Sequence, residues 1–215
     1  LHGLTKPKNI LDVGNSGTGI RLITGVLAAQ YFDCEITGDS SIQTRPMKRI
    51  IDPLSEMGCK IEGKTIDGKN DIYPLLTVKG IKDGTTALTE YKMPVASAQV
   101  KSAILFAALF SRETTTIIEK KPSRNHTEIM LKAFGADITV EGNIIKCSGK
   151  NKLVAPTQSS GSNSLTIPSD FSSSAFFIVL GLIRPNTEIT LKNIGLNPTR
   201  ATLIDVLKEM GANIT

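Results

Sequence analysis

One pattern constrains the fold of this chain more than any other: the same helix ending is written three times. Leu54-Ser-Glu-Met-Gly58-Cys-Lys-Ile61 matches Leu131-Lys-Ala-Phe-Gly135-Ala-Asp-Ile138 and Leu207-Lys-Glu-Met-Gly211-Ala-Asn-Ile214, with the glycines 77 and 76 positions apart. In each copy a Leu and a Met or Phe three positions later share a helix face, Gly stops the helix, and an apolar position begins a strand. The likeness extends upstream. Arg45, Arg124 and Arg200 precede the glycines by 13, 11 and 11 positions. Ser16, Ser97 and Ser173, each in a segment that opens an apolar helix, precede those arginines by 29, 27 and 27. A β-branched strand lies between them at 35–37, 114–118 and 188–190. Four features in one order at near-constant spacing predict internal duplication. Each unit reads strand, helix, strand, Arg loop, helix, Gly stop, strand, which makes the chain α/β.

The 215 residues suffice for one or two domains with a real core. The stretches 63–70 and 151–164 read as irregular connections, the second as a linker. The longest apolar runs, 102–110 and 175–183, are too short to cross a bilayer, and no signal peptide opens the chain. The chain starts on Leu rather than Met, and its third copy stops one strand after Gly211, so both natural ends are expected to lie elsewhere. Cys34, Cys59 and Cys147 are an odd count without CxxC spacing and read as core residues in a reducing, cytoplasm-like compartment. With two histidines, the sequence offers no metal cluster and no catalytic triad. The net charge of +5 favours acidic partners. Its basic residues are dispersed and not interleaved with aromatics, which points to a small anion rather than nucleic acid or a membrane.

Three groups of residues could meet that anion. Gly14-Asn-Ser-Gly-Thr-Gly-Ile-Arg21 follows the strand-like 10–13 and opens a helix, so its backbone N–H groups can face an anion. Arg21 puts a cation in the first helical turn, a cost of about 0.3–1 kcal/mol that a bound phosphate or carboxylate would reverse. The loop is neither a Walker A sequence nor GxGxxG. Ser97-Ala-Gln-Val-Lys101 repeats the arrangement after the strand-like 91–95, with Ser97 as N-cap; Lys101 either meets the anion or snorkels to solvent. The arginine loops, with Arg45, Arg124 and Arg200, offer guanidinium forks suited to phosphate and carboxylate, and His126 adds a polar contact. Asp12, Asp39, Glu128 and Asp170 stand near the loops, but spacing singles out none as a proton donor.

Taken together, Gly14-Asn-Ser-Gly-Thr, Thr37-Gly-Asp39 with Arg45-Pro-Met, Ser97-Ala-Gln-x-Lys101, Ser123-Arg-x-His-Thr-Glu128, 168–175 and Asn197-Pro-Thr-Arg200 resemble the 5-enolpyruvylshikimate-3-phosphate synthase family over essentially the whole chain. The resemblance implies repeated βαβαββ units in an inside-out α/β barrel of the enolpyruvyl transferase type. Residues 1–165 would be the second and third units of the first domain, and 166–215 the truncated start of the second. The implied reaction moves the enolpyruvyl group of phosphoenolpyruvate to the 5-hydroxyl of shikimate 3-phosphate and releases phosphate, in aromatic amino-acid synthesis.

By motif position, Asn15, Gly17, Arg45 and Gln99 resemble phosphoenolpyruvate contacts, and Ser97, Ala98, Gln99 and Ser123 resemble shikimate 3-phosphate contacts. Arg21, Lys101, Arg124, His126 and Arg200 are additional candidate anion contacts. The variants around Lys101, His126 and Arg200 are similar to the family's class II branch, associated with glyphosate tolerance. Ile129 and Ser169 depart from the residues usual at their positions. The family's acid–base residues would lie outside this chain, which implies negligible turnover by these 215 residues alone. The resemblance further implies no cofactor and no metal, and a cytoplasmic enzyme that is monomeric at full length. Two other readings are a sister enolpyruvyl transferase acting on UDP-N-acetylglucosamine and a noncatalytic anion-binding module.

Overall fold

A computed structural model describes residues 3–156 and 165–215, which divide into two compact units. The first runs to Val154 except for Arg124–His126; those three residues group with the second, which takes in the described residues from Ala155 to Thr215. Of the connection expected at 151–164, residues 157–164 lie outside the described residues.

Within the first unit the duplication is explicit. Its first copy comprises β1 (Leu11–Asp12), α1 (Gly17–Leu27), β2 (Cys34–Thr37), α2 (Ser40–Gln43), α3 (Lys48–Glu56), β3 (Lys60–Lys64) and β4 (Tyr73–Lys79). The second copy comprises β5 (Tyr91–Lys92), α4 (Ala98–Ala108), β6 (Thr115–Ile118), α5 (His126–Ala133), β7 (Asp137–Glu141) and β8 (Ile144–Ser148). The two four-stranded sheets have the same order, β1-β2-β4-β3 and β5-β6-β8-β7, each with one parallel pair and two antiparallel pairs.

Burial shows how the layers stack. Helix α4 is buried nearly all round from Val100 to Ala108, as expected of a helix apolar on every side. In β2, Cys34 and Ile36 point into the core while Glu35 faces solvent. Helices therefore lie inside and sheets outside, an inside-out α/β arrangement. Helices α1 and α4 approach closely because Gly25 lacks a side chain: a Cβ there would stand 2.4 Å from the Ala103 carbonyl oxygen. That contact sets the separation of two helices whose N-termini carry the candidate loops.

The helix stops match the sequence expectation in all three copies. Gly58, Gly135 and Gly211 have φ of +85°, +77° and +91°. In each, the glycine N–H bonds back three residues and the next N–H bonds back five, as in Cys59 N to Leu54 O, Ala136 N to Leu131 O and Ala212 N to Leu207 O, all 3.0 Å. This is the Schellman motif.

The second unit holds α6 (Phe171–Ile183) and α7 (Thr202–Glu209), with a single parallel bridge between Ser169 and Ile194. The strand expected at 188–190 does not form. In the first two copies β2 and β6 are held on one edge by a parallel strand and on the other by β4 or β8, and no counterpart of β4 exists among the described residues of the third. Ser173 is also corrected as a helix opener: the N-cap of α6 is Asp170, which accepts from Ser172 N and Ser173 N, leaving Ser173 inside the first turn. Most of α6 is exposed, including Phe176 at 79% and Ile183 at 72%.

Candidate functional site

The first loop is built by two local devices. Gly14 takes a φ of +57° and donates to Asp12 Oδ1 at 2.8 Å, turning the chain out of β1. Ser16 then caps α1, accepting from Gly19 N at 2.8 Å. The neighbouring Asn15 amide donates to Asp39 Oδ2 at 2.6 Å, while the other Asp39 oxygen caps α2 through Ile42 N. These bonds, first that from Ile42 and then that from Asn15, hold the Asp39 carboxyl below the usual range, which makes it an acceptor rather than a proton donor.

Two guanidinium groups converge on Gly17. A Cβ built there would lie 2.6 Å from Arg45 Nη1 and 3.2 Å from Arg21 Nη1. Arg21 is buried; Nη1 donates to Gly17 O at 2.9 Å, Nη2 donates to Pro46 O at 3.2 Å, and Nε has no partner. Burial, followed by the charges of Arg49 and Arg45, lowers its pKa to about 10. Neither Arg21 nor Arg45 makes a salt bridge among the described residues. Clustered cations without carboxylate partners repel one another, and a bound anion would relieve that repulsion.

Asp71 supports this region from a distance and was not identified from the sequence. Its Oδ1 accepts from Met47 N, Lys48 N and Ile72 N at 3.0, 2.9 and 2.8 Å, capping α3 where the local N-cap, Met47, offers no side-chain bond. No local sequence pattern marks a cap supplied by a residue more than twenty positions away.

The second loop meets the first. Gln99 Nε2 donates to Thr18 Oγ1 at 2.8 Å, joining the first turns of α1 and α4. Ser97 caps α4 through Val100 N, and Ala98 is the first residue of that helix. Lys101 takes neither expected course: it is 1% exposed, with Nζ 2.9 Å from Glu119 Oε2 and 2.6 Å from Glu128 Oε1, so its ammonium faces two carboxylates rather than solvent or an anion. Ser123 Oγ donates to Glu119 Oε1. Glu119 had not been singled out; the available signal was Lys101 itself, a cation among Val100, Ala103 and Ile104 that requires a buried counter-ion.

The structure thus brings together Asn15, Gly17, Arg21, Arg45 and Gln99, and links Ser97, Lys101 and Ser123 through α4 and Glu119. Arg124 and His126 group with the second unit. In that unit Arg200 Nη2 donates to Ser172 Oγ, beside the α6 cap. Bonds from the Ser173 side chain and then the Ser173 and Ser172 backbone hold Asp170 below the usual carboxylate range. No group of three potential metal ligands occurs among the described residues, and no described helix is long and apolar enough to cross a membrane.

Comparison with known proteins identifies the family. The family model described as EPSP synthase (3-phosphoshikimate 1-carboxyvinyltransferase) matches residues 2–215. The chain is 48% identical over 216 residues to a 3-phosphoshikimate 1-carboxyvinyltransferase of Bacillus thuringiensis (strain Al Hakam), covering 100% of this chain and 47% of that protein. It is 50% identical over 212 residues to the protein of the same name from Bacillus cytotoxicus, covering 99% and 47%. A solved EPSP synthase from Acinetobacter baumannii superposes with a TM-score of 0.82 at 43% identity, over 100% of this chain and 45% of that one. The chain therefore spans about half the length of the relatives it matches.

Proposed function

The chain belongs to the EPSP synthase family, and on that premise we propose that the whole protein transfers the enolpyruvyl group of phosphoenolpyruvate to shikimate 3-phosphate. In that reaction C3 of phosphoenolpyruvate gains a proton while the 5-oxygen of shikimate 3-phosphate loses its proton and bonds to C2. Breaking the bond from C2 to the phosphate oxygen and removing a proton from C3 then yields the enol ether and phosphate. The observation that carries the reading is the convergence of Arg21 and Arg45 on Gly17 without a carboxylate partner. Guanidinium groups fixed in this way suit a ligand bearing both phosphate and carboxylate.

In this reading Asn15, Gly17, Arg45 and Gln99 receive phosphoenolpyruvate, while Ser97, Ala98, Gln99 and Ser123 receive shikimate 3-phosphate. The Gln99–Thr18 bond supports the sharing of Gln99, because it already spans both loops. Arg21 acts from behind Gly17, and Arg124, His126 and Arg200 are further polar contacts. Residues 1–165 are assigned to the second and third units of the first domain and 166–215 to the opening of the second. As the resemblance to the family implies, the acid–base groups are assigned to parts of the whole protein outside these residues. The 215 residues alone are expected to bind without turning over. The whole protein is read as a cytoplasmic monomer. The matched relatives favour shikimate 3-phosphate over UDP-N-acetylglucosamine.

Steady-state phosphate release by the full-length protein with both substrates tests the reading. Arg45→Ala should raise KM for phosphoenolpyruvate at least about tenfold, corresponding to the loss of one charge-assisted contact. Absence of phosphate release by the unaltered full-length protein would reject the assigned reaction.

A further inference from the structure

Arg45 reaches Gly17 with little to hold its side chain there. Among the described residues its guanidinium makes one hydrogen bond, a long one of 3.5 Å from Nη2 to Ser41 Oγ. Arg21, which converges on the same glycine, is a like charge that pushes it away. Where the guanidinium points therefore depends on where the backbone of Arg45 is fixed.

That backbone is held on both sides. Upstream, Arg45 N donates to Ile42 O at 3.0 Å, closing the turn after α2. Pro46 fixes its own φ and disfavours the helical region for Arg45, so the pair is stiff. Downstream, Met47 N is shared between Ile72 O at 2.8 Å and Asp71 Oδ1 at 3.0 Å, and Lys48 N donates to the same carboxylate oxygen at 2.9 Å. A local cap is precluded at position 47, where the side chain is a fully buried Met. Helix α3 also opens on Lys48 and Arg49, cations where the helix dipole disfavours them.

Asp71 answers both needs from outside the loop. It stands two residues before β4, the strand between β2 and β3, so its oxygen is tied to the sheet and not to the segment it grips. Ile72 N donates to that oxygen as well, at 2.8 Å. With backbone N–H groups gathered on Oδ1, the carboxylate charge is spent on the start of α3. The sheet thereby sets the position of the chain two and three residues beyond Arg45.

We infer that Asp71 is a positioning residue: by holding Met47 and Lys48 against the sheet, it places Arg45 at Gly17 for phosphoenolpyruvate. This rests on the proposed role of Arg45 as a contact to that substrate. Asp71 acts through Arg45 and does not itself meet the ligand.

The test is a double-mutant cycle in the full-length protein, with KM measured separately for each substrate. Asp71→Ala should raise KM for phosphoenolpyruvate by about three- to tenfold and leave KM for shikimate 3-phosphate within about twofold. Introduced together with Arg45→Ala, it should add nothing to the loss from Arg45→Ala alone. Asp71→Asn keeps an oxygen that can accept the same bonds and should recover most of the loss. An unchanged KM for phosphoenolpyruvate in Asp71→Ala, equal rises in both KM values, additive losses, or an Asp71→Asn variant as impaired as Asp71→Ala each overturn the inference. Should Asp71→Ala fail to fold, Asp71→Glu keeps the charge but carries its oxygens one methylene farther and should show the same selective rise; unchanged kinetics in that variant overturn the inference. An unaltered protein without phosphate release rejects the assigned reaction, and an Arg45→Ala variant with unchanged KM for phosphoenolpyruvate rejects the role of Arg45; in either case the positioning role falls too. An active parent that needs Arg45 but whose Asp71 variants break the pattern rejects the positioning role alone.

Discussion

A methyl group has no free place at Gly17, because its position is crowded by Arg45 Nη1 at 2.6 Å. A guanidinium tip can move, so Gly17→Ala should fold normally while displacing the fork. The expected outcome is about tenfold weaker phosphoenolpyruvate binding by the full-length protein, read by calorimetric titration, with an unchanged melting temperature. Undiminished affinity would remove Arg45 from the site. The two cations near the helix starts, Arg21 as the fifth residue of α1 and Lys101 as the fourth of α4, show how far single residues could be read from sequence. Arg21 and Lys101 carry the same local signal, a positive charge where the helix dipole disfavours it. Folding gives them opposite solutions: Arg21 remains without a carboxylate partner, whereas Lys101 acquires two. Glu119 arrives from beyond β6, so the difference lies in tertiary packing and not in the helix sequence.

Helix starts and β-branched strands were each legible in two copies of three. Ser16 and Ser97 cap as their positions suggest, because capping is settled within three residues. Strand 188–190 failed because a strand's existence depends on neighbours that β-branched residues alone cannot supply. The carboxylate caps of α2 and α6 carry a pH dependence. Asp39 and Asp170 have folded pKa values below the ordinary carboxylate range, so their stabilisation is fully present above about pH 4 and fades as pH falls through the folded values. Amide exchange in the first turns of α2 and α6 should therefore show protection that holds down to about pH 4 and weakens as pH falls below it. Helix pairing gives a second expectation at this scale. Gly25→Ala would press a methyl group onto backbone atoms of Ala103, at 2.4 and 2.7 Å, where no side chain can yield. It should destabilise the first unit by about 1–3 kcal/mol in denaturant melts.

For the molecule as a whole, duplication was the part of the fold most fully legible, since it is recorded in spacing rather than in any one motif. The matching strand orders of the two sheets follow from it. The site was legible as loops and as a charge preference. The bonds that join those loops, Gln99 to Thr18 and Ser123 to Glu119, were hidden because they link residues far apart in sequence. The threefold Schellman ending has a practical consequence: the chain contains its own replicate experiment. A Cβ at Gly58 or Gly135 would meet nothing closer than 3.6 or 3.5 Å, and at Gly211 nothing within 4 Å, so Gly→Ala at each position isolates the cost of a left-handed backbone. Each substitution should cost about 1–2 kcal/mol, with the three values agreeing to within about 0.5 kcal/mol in equilibrium unfolding of the unit concerned. A wide spread would mean that the copies, alike in geometry, have come to depend on their turns to different degrees; agreement would make this one chain a calibrated ruler for a single backbone conformation.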